Sequence, residues 1–470
     1  MVKSKIGVIG MAVMGRSLAL NMADHGYKVS VYNISKVNTE EAISQDITGN
    51  LKGTYTLEEF INSLERPRNI LLMIKSGQPV DEIIERLLPL LDKDDLIIDG
   101  GNSYFKDTIR RAKYLEEKGI HFFGMGVSGG EEGARYGPAI MPGGNKDSYE
   151  RVRKILEDIS AKAKDGEPCC KYTSKDGAGH YVKMVHNGIE YADMQIIAEG
   201  YSIMKNVLNM SNEEMADVFE EYNKGTLDSY LIQITRYVLL EKDDMGEGYL
   251  VDKILDEAQQ KGTGKWTNLE AMDLGVNASI LQAGLNGRII SSILDERKKA
   301  SKILLYNPVN IEFDKEEILK DLENALLASK IMAYAQGFAL LKEAAYVYEW
   351  EFNYKEIASI FREGCIIRSQ LLYKIMDEFE KNNDLNNLML GEYFAKTLNK
   401  TTPGLRKIIK LAIDKGIAVP ALMESLAYFD GYPTEKSPAN LIQGQRDYFG
   451  AHTYKRIDCE GVFHHNWINK

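Results

Sequence analysis

Cysteine is scarce in this chain. Its four copies in 470 residues, Cys169 beside Cys170 and Cys365 and Cys459 apart, cannot build a disulfide framework. No C-x-x-C pair is present, so no thiolate metal site or dithiol redox site is expected, and the chain is placed in a reducing compartment, the cytoplasm. No stretch reaches the roughly 18 consecutive apolar residues of a membrane span, and the start lacks a signal-peptide pattern. Positive charge is also short: 58 Lys+Arg against 69 Asp+Glu leave a net −11, which argues against charge-driven nucleic-acid binding. An anionic ligand would need cations gathered locally. Of 11 prolines only Pro308, Pro403 and Pro420 lie between Cys169 and Gly431, so the middle of the chain offers few breaks to helices.

The remaining composition, 44% hydrophobic and 27% charged, is that of a globular protein. Over residues 1–176 short apolar runs alternate with helical patterns. The runs Lys5–Gly10, Lys28–Asn33, Asn69–Lys75, Asp95–Asp99 and His121–Val127 are continuous, not alternating. That is the signature of strands covered on both faces, hence a parallel α/β sheet of Rossmann type. Residues 177–430 carry helical spacing without strand signals and are read as a large all-helical domain for substrate and dimerisation. From 431 to 470 no period is sustained, yet Tyr448, Phe449, Tyr454, Phe463 and Trp467 crowd together. An extended tail so rich in aromatic residues is expected to dock, with a second subunit as the candidate surface.

Gly10-Met11-Ala12-Val13-Met14-Gly15 follows the first strand and opens a helix. Gly10 permits a tight turn, Ala12 lets backbone approach a pyrophosphate, and Gly15 lets helix and strand pack closely, with phosphates over the helix N-terminus. The second strand ends at Asn33, where an enzyme selecting NAD commonly has an acidic residue for the ribose; a neutral side chain, followed by Ser35 and Lys36, favours NADP. Lys183, His186, Asn187 and Glu190 stand at i, i+3, i+4 and i+7 and share one helix face. The plain alternative is a solvated stripe, but Gly177, Gly179 and Gly188 nearby weaken the helix without visible return and favour a site. Asp99-Gly-Gly-Asn102-Ser103 and Val127-Ser128-Gly129-Gly130 end two further strands, where ligands of open sheets bind. Lys261-Gly-Thr-Gly-Lys265-Trp266 fails the P-loop pattern, although Lys261 remains a cation for a phosphate.

These segments, with Lys-Met-Val-His-Asn-Gly-Ile-Glu-Tyr ending at Tyr191 and the terminal Gln-Arg446-Asp-Tyr-Phe-Gly-Ala-His452-Thr-Tyr, together resemble decarboxylating 6-phosphogluconate dehydrogenases, in order and over nearly the whole chain. The resemblance implies oxidation and decarboxylation of 6-phosphogluconate to ribulose 5-phosphate with NADP, in the oxidative pentose phosphate branch. It places the cofactor on Gly10 to Gly15, Asn33, Ile34, Ser35, Lys75 and Asn102. The substrate falls to Asn102, Ser128, Gly129, Gly130, His186, Asn187, Tyr191, Lys261 and Arg288, with Arg446 and His452 donated by the partner of a homodimer. Lys183 is the implied base and Glu190 the implied acid, helped by His186 and Asn187; no metal is implied, and His464-His465 is read as incidental surface. Ile34 departs from the pattern, because the family usually has Arg there against the 2′-phosphate, so NAD stays open beside NADP. A non-decarboxylating β-hydroxyacid dehydrogenase is the alternative activity, needing Lys183 but not Glu190.

Overall fold

The computed structural model describes residues 2–260 and 262–467. Two compact units result, residues 1–425 and 426–470. The first begins with a seven-stranded sheet of β1 (Ile6–Ile9), β2 (Val29–Tyr32), β3 (Leu51–Thr54), β4 (Asn69–Leu72), β5 (Leu96–Asp99), β6 (His121–Ser128) and β7 (Ala139–Gly144). The spatial order is β3-β2-β1-β4-β5-β6-β7, parallel throughout except for β7, which runs antiparallel beside β6. The order reverses between β1 and β4, and their carboxyl ends open a crevice there.

The continuous apolar runs are strands buried on both faces. Val8, Val31, Leu71 and Ile98 face one core with the helices Val13–Asp24 and Lys146–Ile159. Ile9, Ile70, Leu72 and Ile97 face the other, with Leu57–Asn62, Gln78–Leu87 and Phe105–Glu116. Two strands escaped the sequence reading. β3 (Leu-Lys-Gly-Thr) is a short edge strand with two of its four residues partly exposed, and β7 contains Pro142 and ends in two glycines. Both compositions ordinarily mark loops.

Helices follow from Ala178 onward. The longest are Ala178–Asn206, Lys315–Val347 and Glu392–Lys415, and Pro403 sits inside the last. The helix Ala178–Asn206 lies against β6 and β7 because glycines line the contact. A Cβ on Gly126 would stand 2.5 Å from that of Lys183, one on Gly179 would stand 2.7 Å from the Gly124 carbonyl, and one on Gly188 would stand 2.5 Å from Thr267 Cγ2. The expectation that Gly177, Gly179 and Gly188 have no structural return is therefore corrected: Gly177 and Gly179 admit neighbouring backbone, Gly188 admits the Thr267 side chain, and none argues for a site on its own.

The second unit is not the irregular tail expected. It carries the helix Ala439–Gly450 and a bridge pairing Tyr454 with Phe463. Buried Asp447 accepts from Thr453 N–H, His464 Nδ1, His465 N–H and Trp467 Nε1 at 2.8–3.0 Å. His464 is thus part of the tail's own framework, not incidental surface. Among the described residues, no helix is long and apolar enough to cross a membrane.

Candidate active site

At the first turn, φ is +102° at Gly10, and a Cβ on Gly15 would collide with the Gly10 carbonyl. The helix Val13–Asp24 starts at Ala12 with no side-chain cap and no acidic residue in its first turn. Free N–H groups and an uncompensated helix dipole suit a pyrophosphate, so the cradle fits a dinucleotide. Asn33 shapes this turn: its Oδ1 accepts Met11 N–H at 3.0 Å and its Nδ2 donates to the Ser35 carbonyl at 3.2 Å. Ile34 is 81% exposed, and Lys36 Nζ lies 5.9 Å from the Tyr55 ring centre.

A cavity of about 400 Å³ opens beside this crevice. Met14, Asn102, Ser128, Gly129, Gly130, Lys183, Asn187, Glu190, Tyr191 and Arg288 line it, bringing together most of the residues singled out in the sequence. Val127, from the strand-end motif, lines it too, as do Met194, Gln259, Gln260, Thr263 and Ile366, none of which was singled out as a site residue. Thr263 stood in the rejected phosphate-loop motif; Met194, Gln259, Gln260 and Ile366 had no chemical signal to find them by.

Lys183 is buried, and its described hydrogen-bond partners are Asn187 Oδ1 at 2.8 Å and His186 Nδ1 at 3.4 Å. Burial pulls its ammonium below the ordinary lysine range, while Glu190 and Cys365 oppose the shift. Desolvation is the cause of the shift. His186 is held well below the usual histidine range by burial, then by Lys183. It is therefore neutral. Asn187 Nδ2 donates to Thr263 Oγ1 at 2.7 Å, which turns Asn187 Oδ1 toward His186 Nδ1, 3.0 Å away. Nδ1 then carries the proton, and His186 Nε2 accepts from the Ser128 hydroxyl at 3.2 Å. His186 does not line the cavity: it is fully buried behind Ser128 and Lys183 and orients them.

Glu190, two turns beyond Lys183, has its carboxyl raised by burial against the opposing pull of Lys183 and Arg288. Arg288 stacks 3.7 Å from the Tyr191 ring centre, and its Nη1 donates to the Gln259 carbonyl at 2.8 Å. Tyr191 is wedged in place by small neighbours, since a Cβ on Gly264 or Gly284 would stand 2.5 or 2.6 Å from it. Cys365 is buried with its thiol pushed up by desolvation, which suits packing and not nucleophilic attack. Lys75 is exposed on the loop after β4 and does not line the cavity. Lys261 lies outside the described residues. Arg446 and His452 belong to the second unit, both exposed, Arg446 Nη1 donating to Gln443 Oε1 at 3.0 Å.

Two family models match: the NAD binding domain of 6-phosphogluconate dehydrogenase over residues 5–173, and the 6-phosphogluconate dehydrogenase C-terminal domain over residues 179–467. The chain belongs to the 6-phosphogluconate dehydrogenase family. It is 54% identical, over the full length of both chains, to the NADP(+)-dependent, decarboxylating 6-phosphogluconate dehydrogenase of Bacillus subtilis. It is 53% identical, again over both full lengths, to the decarboxylating enzyme of Escherichia coli. The solved 6-phosphogluconate dehydrogenase of Plasmodium falciparum, studied with NADP+ and with 6-phosphogluconate, superposes with a TM-score of 0.95 at 45% identity, covering 98% of this chain and all of that one.

Proposed function

We infer that this chain oxidises and decarboxylates 6-phosphogluconate to ribulose 5-phosphate and carbon dioxide, with reduction of NADP to NADPH. The observation that carries the reading is Lys183: a buried amine without a described carboxylate at ion-pair distance, facing a cavity shared with Glu190 and Arg288. Gly10 to Gly15 would hold the pyrophosphate, Asn33, Ile34 and Ser35 would border the adenosine ribose, and Lys75 and Asn102 would border the nicotinamide. When bound, the nicotinamide supplies the hydride acceptor.

The chain's own residues manage protons and charge. Neutral Lys183 takes the proton of the C3 hydroxyl as that carbon is oxidised. The ammonium so formed faces the new ketone and stabilises the enolate oxygen that develops as carbon dioxide leaves C1. Ser128, its hydrogen committed to His186, turns lone pairs toward the substrate, and Gly129 and Gly130 allow close approach of the C1 end. Glu190, its carboxyl raised by burial, delivers a proton to C1 of the enediol. Arg288, steadied on Tyr191, meets the phosphate with Lys261, and Arg446 and His452 complete this end from the partner of a homodimer. We also read the chain as divided at 176/177 and 430/431, on the change from strand alternation to helices and again at the tail, and as cytoplasmic, on its sparse cysteine.

The test is direct. Purified protein mixed with 6-phosphogluconate and NADP should raise the near-ultraviolet absorbance of reduced nicotinamide and release one carbon dioxide per turnover. No turnover with either NADP or NAD would sink the reading.

A further inference from the structure

The buried polar face of the helix Phe105–Glu116 has no place in the chemistry above, yet it touches the segment after β4, the end of β5 and the helix that carries Lys183. Arg111 is 1% exposed. Its Nε and Nη2 each meet a carboxylate oxygen of Asp81 at 2.9 Å, and Nη2 also donates to the Gly77 carbonyl at 2.9 Å. Gly77 and Asp81 belong to the turn and helix that follow Lys75. On its other side, Arg111 Nη1 stands 3.6 Å from Asp99 Oδ2. Asp99, fully buried at the end of β5, accepts Gly101 N–H at 3.0 Å and the Ser103 hydroxyl at 2.6 Å. Those two bonds bracket Asn102, the exposed residue between them that lines the cavity. One turn earlier on the same helix, Thr108 Oγ1 pairs with His180 Nδ1 at 2.7 Å, three residues before Lys183.

We propose that Arg111 is a positioning residue for this reaction: its guanidinium sets the separation of the loops after β4 and β5 and so fixes Asn102 in the cleft. The assignment rests on the functional reading above. The two loops end adjacent strands next to the sheet's switch point, where small displacements of a binding group are most costly. A planar fork hydrogen-bonds Asp81 and Gly77 on one side while its Nη1, which has no hydrogen-bond partner among the described residues, stands at ion-pair distance from Asp99 on the other, a spread that an ammonium cannot match. Buried charge is a poor way merely to stabilise a fold, because an apolar group of similar volume often does as well. Here the charges are spent on loop geometry.

The experiment uses the full-length enzyme and two variants, Arg111→Lys, which keeps the charge but loses the fork, and Ser103→Ala, which frees one side of the Asn102 bracket. Steady-state kinetics with 6-phosphogluconate and NADP, NADP titration by protein fluorescence, pH profiles and Tm are measured together. For Arg111→Lys the KM for both ligands should rise on the order of tenfold with a smaller fall in kcat, since one misplaced contact is worth about that much. Ser103→Ala should raise the KM for 6-phosphogluconate by about threefold, and neither variant should move the pH profile. Wild-type KM values in both variants, with only a lower Tm, would overturn the proposal. If Arg111→Lys does not fold, Ser103→Ala decides alone. A wild-type enzyme without turnover would instead condemn the functional reading.

Discussion

Taking an ammonium group out of water without a carboxylate to meet it costs far more than taking out the neutral amine, so the fold itself biases Lys183 toward the basic form. Lys183→Met removes that base while leaving the first-turn cradle untouched. Turnover should fall by on the order of a thousandfold, the middle of the range for a general base, with NADP affinity near that of the wild type. Fluorescence titration beside the rate assay checks both, and loss of NADP binding would break the two-site picture. Activity should climb with pH as Lys183 loses its proton, starting below the ordinary lysine range, and fall as Glu190 loses its own above the ordinary carboxyl range. Both limbs belong to the pair, because the two groups interact. Cofactor choice is tested at a different residue. Ile34 projects into solvent, so replacement should leave the fold alone. Ile34→Arg would add a planar cation beside the 2′-phosphate and should raise the NADP-over-NAD ratio of kcat/KM by about tenfold. An unchanged ratio would mean that Ser35 and Lys36 already hold that phosphate.

Between elements, distance is the controlled quantity. Gly179 lets the helix Ala178–Asn206 descend onto β6 and β7, and an added methyl would meet the Gly124 carbonyl at 2.7 Å and the Gly143 nitrogen at 2.7 Å. Backbone cannot step aside cheaply. Gly179→Ala should therefore cost about 1–3 kcal/mol of stability and lift Lys183 from its bed, read as a lower Tm together with a lower kcat. A variant with wild-type Tm and rate would show the contact to be slack. Glu199, further along the same helix, accepts Ala421 and Leu422 N–H at 2.8 and 2.9 Å and so caps the helix Pro420–Gly431. Burial pushes its carboxyl up to about 7. The folded state thus holds that proton more tightly than the unfolded chain does. This contribution to stability is full below the ordinary carboxyl value near 4.5 and is lost as pH rises through about 7, a swing on the order of 3 kcal/mol. Glu199→Gln should flatten Tm against pH over that window, and a profile as steep as the wild type's would assign the slope elsewhere. The residues legible in sequence were those whose chemistry is local: the first glycine turn, and the i, i+3, i+4, i+7 face of Lys183, His186, Asn187 and Glu190. Illegible were the features set by distant partners. His186 reads as a ligand contact until the fold shows it buried behind Ser128, and Gly179 reads as a weakness until β7, itself disguised by Pro142, is laid against it.

For the molecule as a whole, the cavity is lined by residues of the first unit, whereas Arg446 and His452 lie in the second. Within residues 426–467 the framework is firm, since Asp447 gathers four donors and the turn at Ala451, with φ +50°, sets His452 beside Phe449. A merely frayed end would not spend a fully buried carboxylate on itself. If Arg446 and His452 act in trans, two dead enzymes should cure one another. Lys183→Met has a failed base but an intact tail; Arg446→Ala has an intact base but a failed tail. In a hybrid dimer, the Arg446→Ala subunit keeps its own Lys183 and receives a sound tail from its partner, completing one site of the two. Random exchange makes half the dimers hybrids, so co-refolding the two inactive variants should restore roughly a quarter of wild-type activity per total subunit. If the tail instead served its own chain's site, every hybrid would hold two defective sites and mixing would recover nothing. Restored activity must also disappear on dilution at the protein concentration where light scattering shows the dimer dissociating, because a site shared between chains cannot outlive their association.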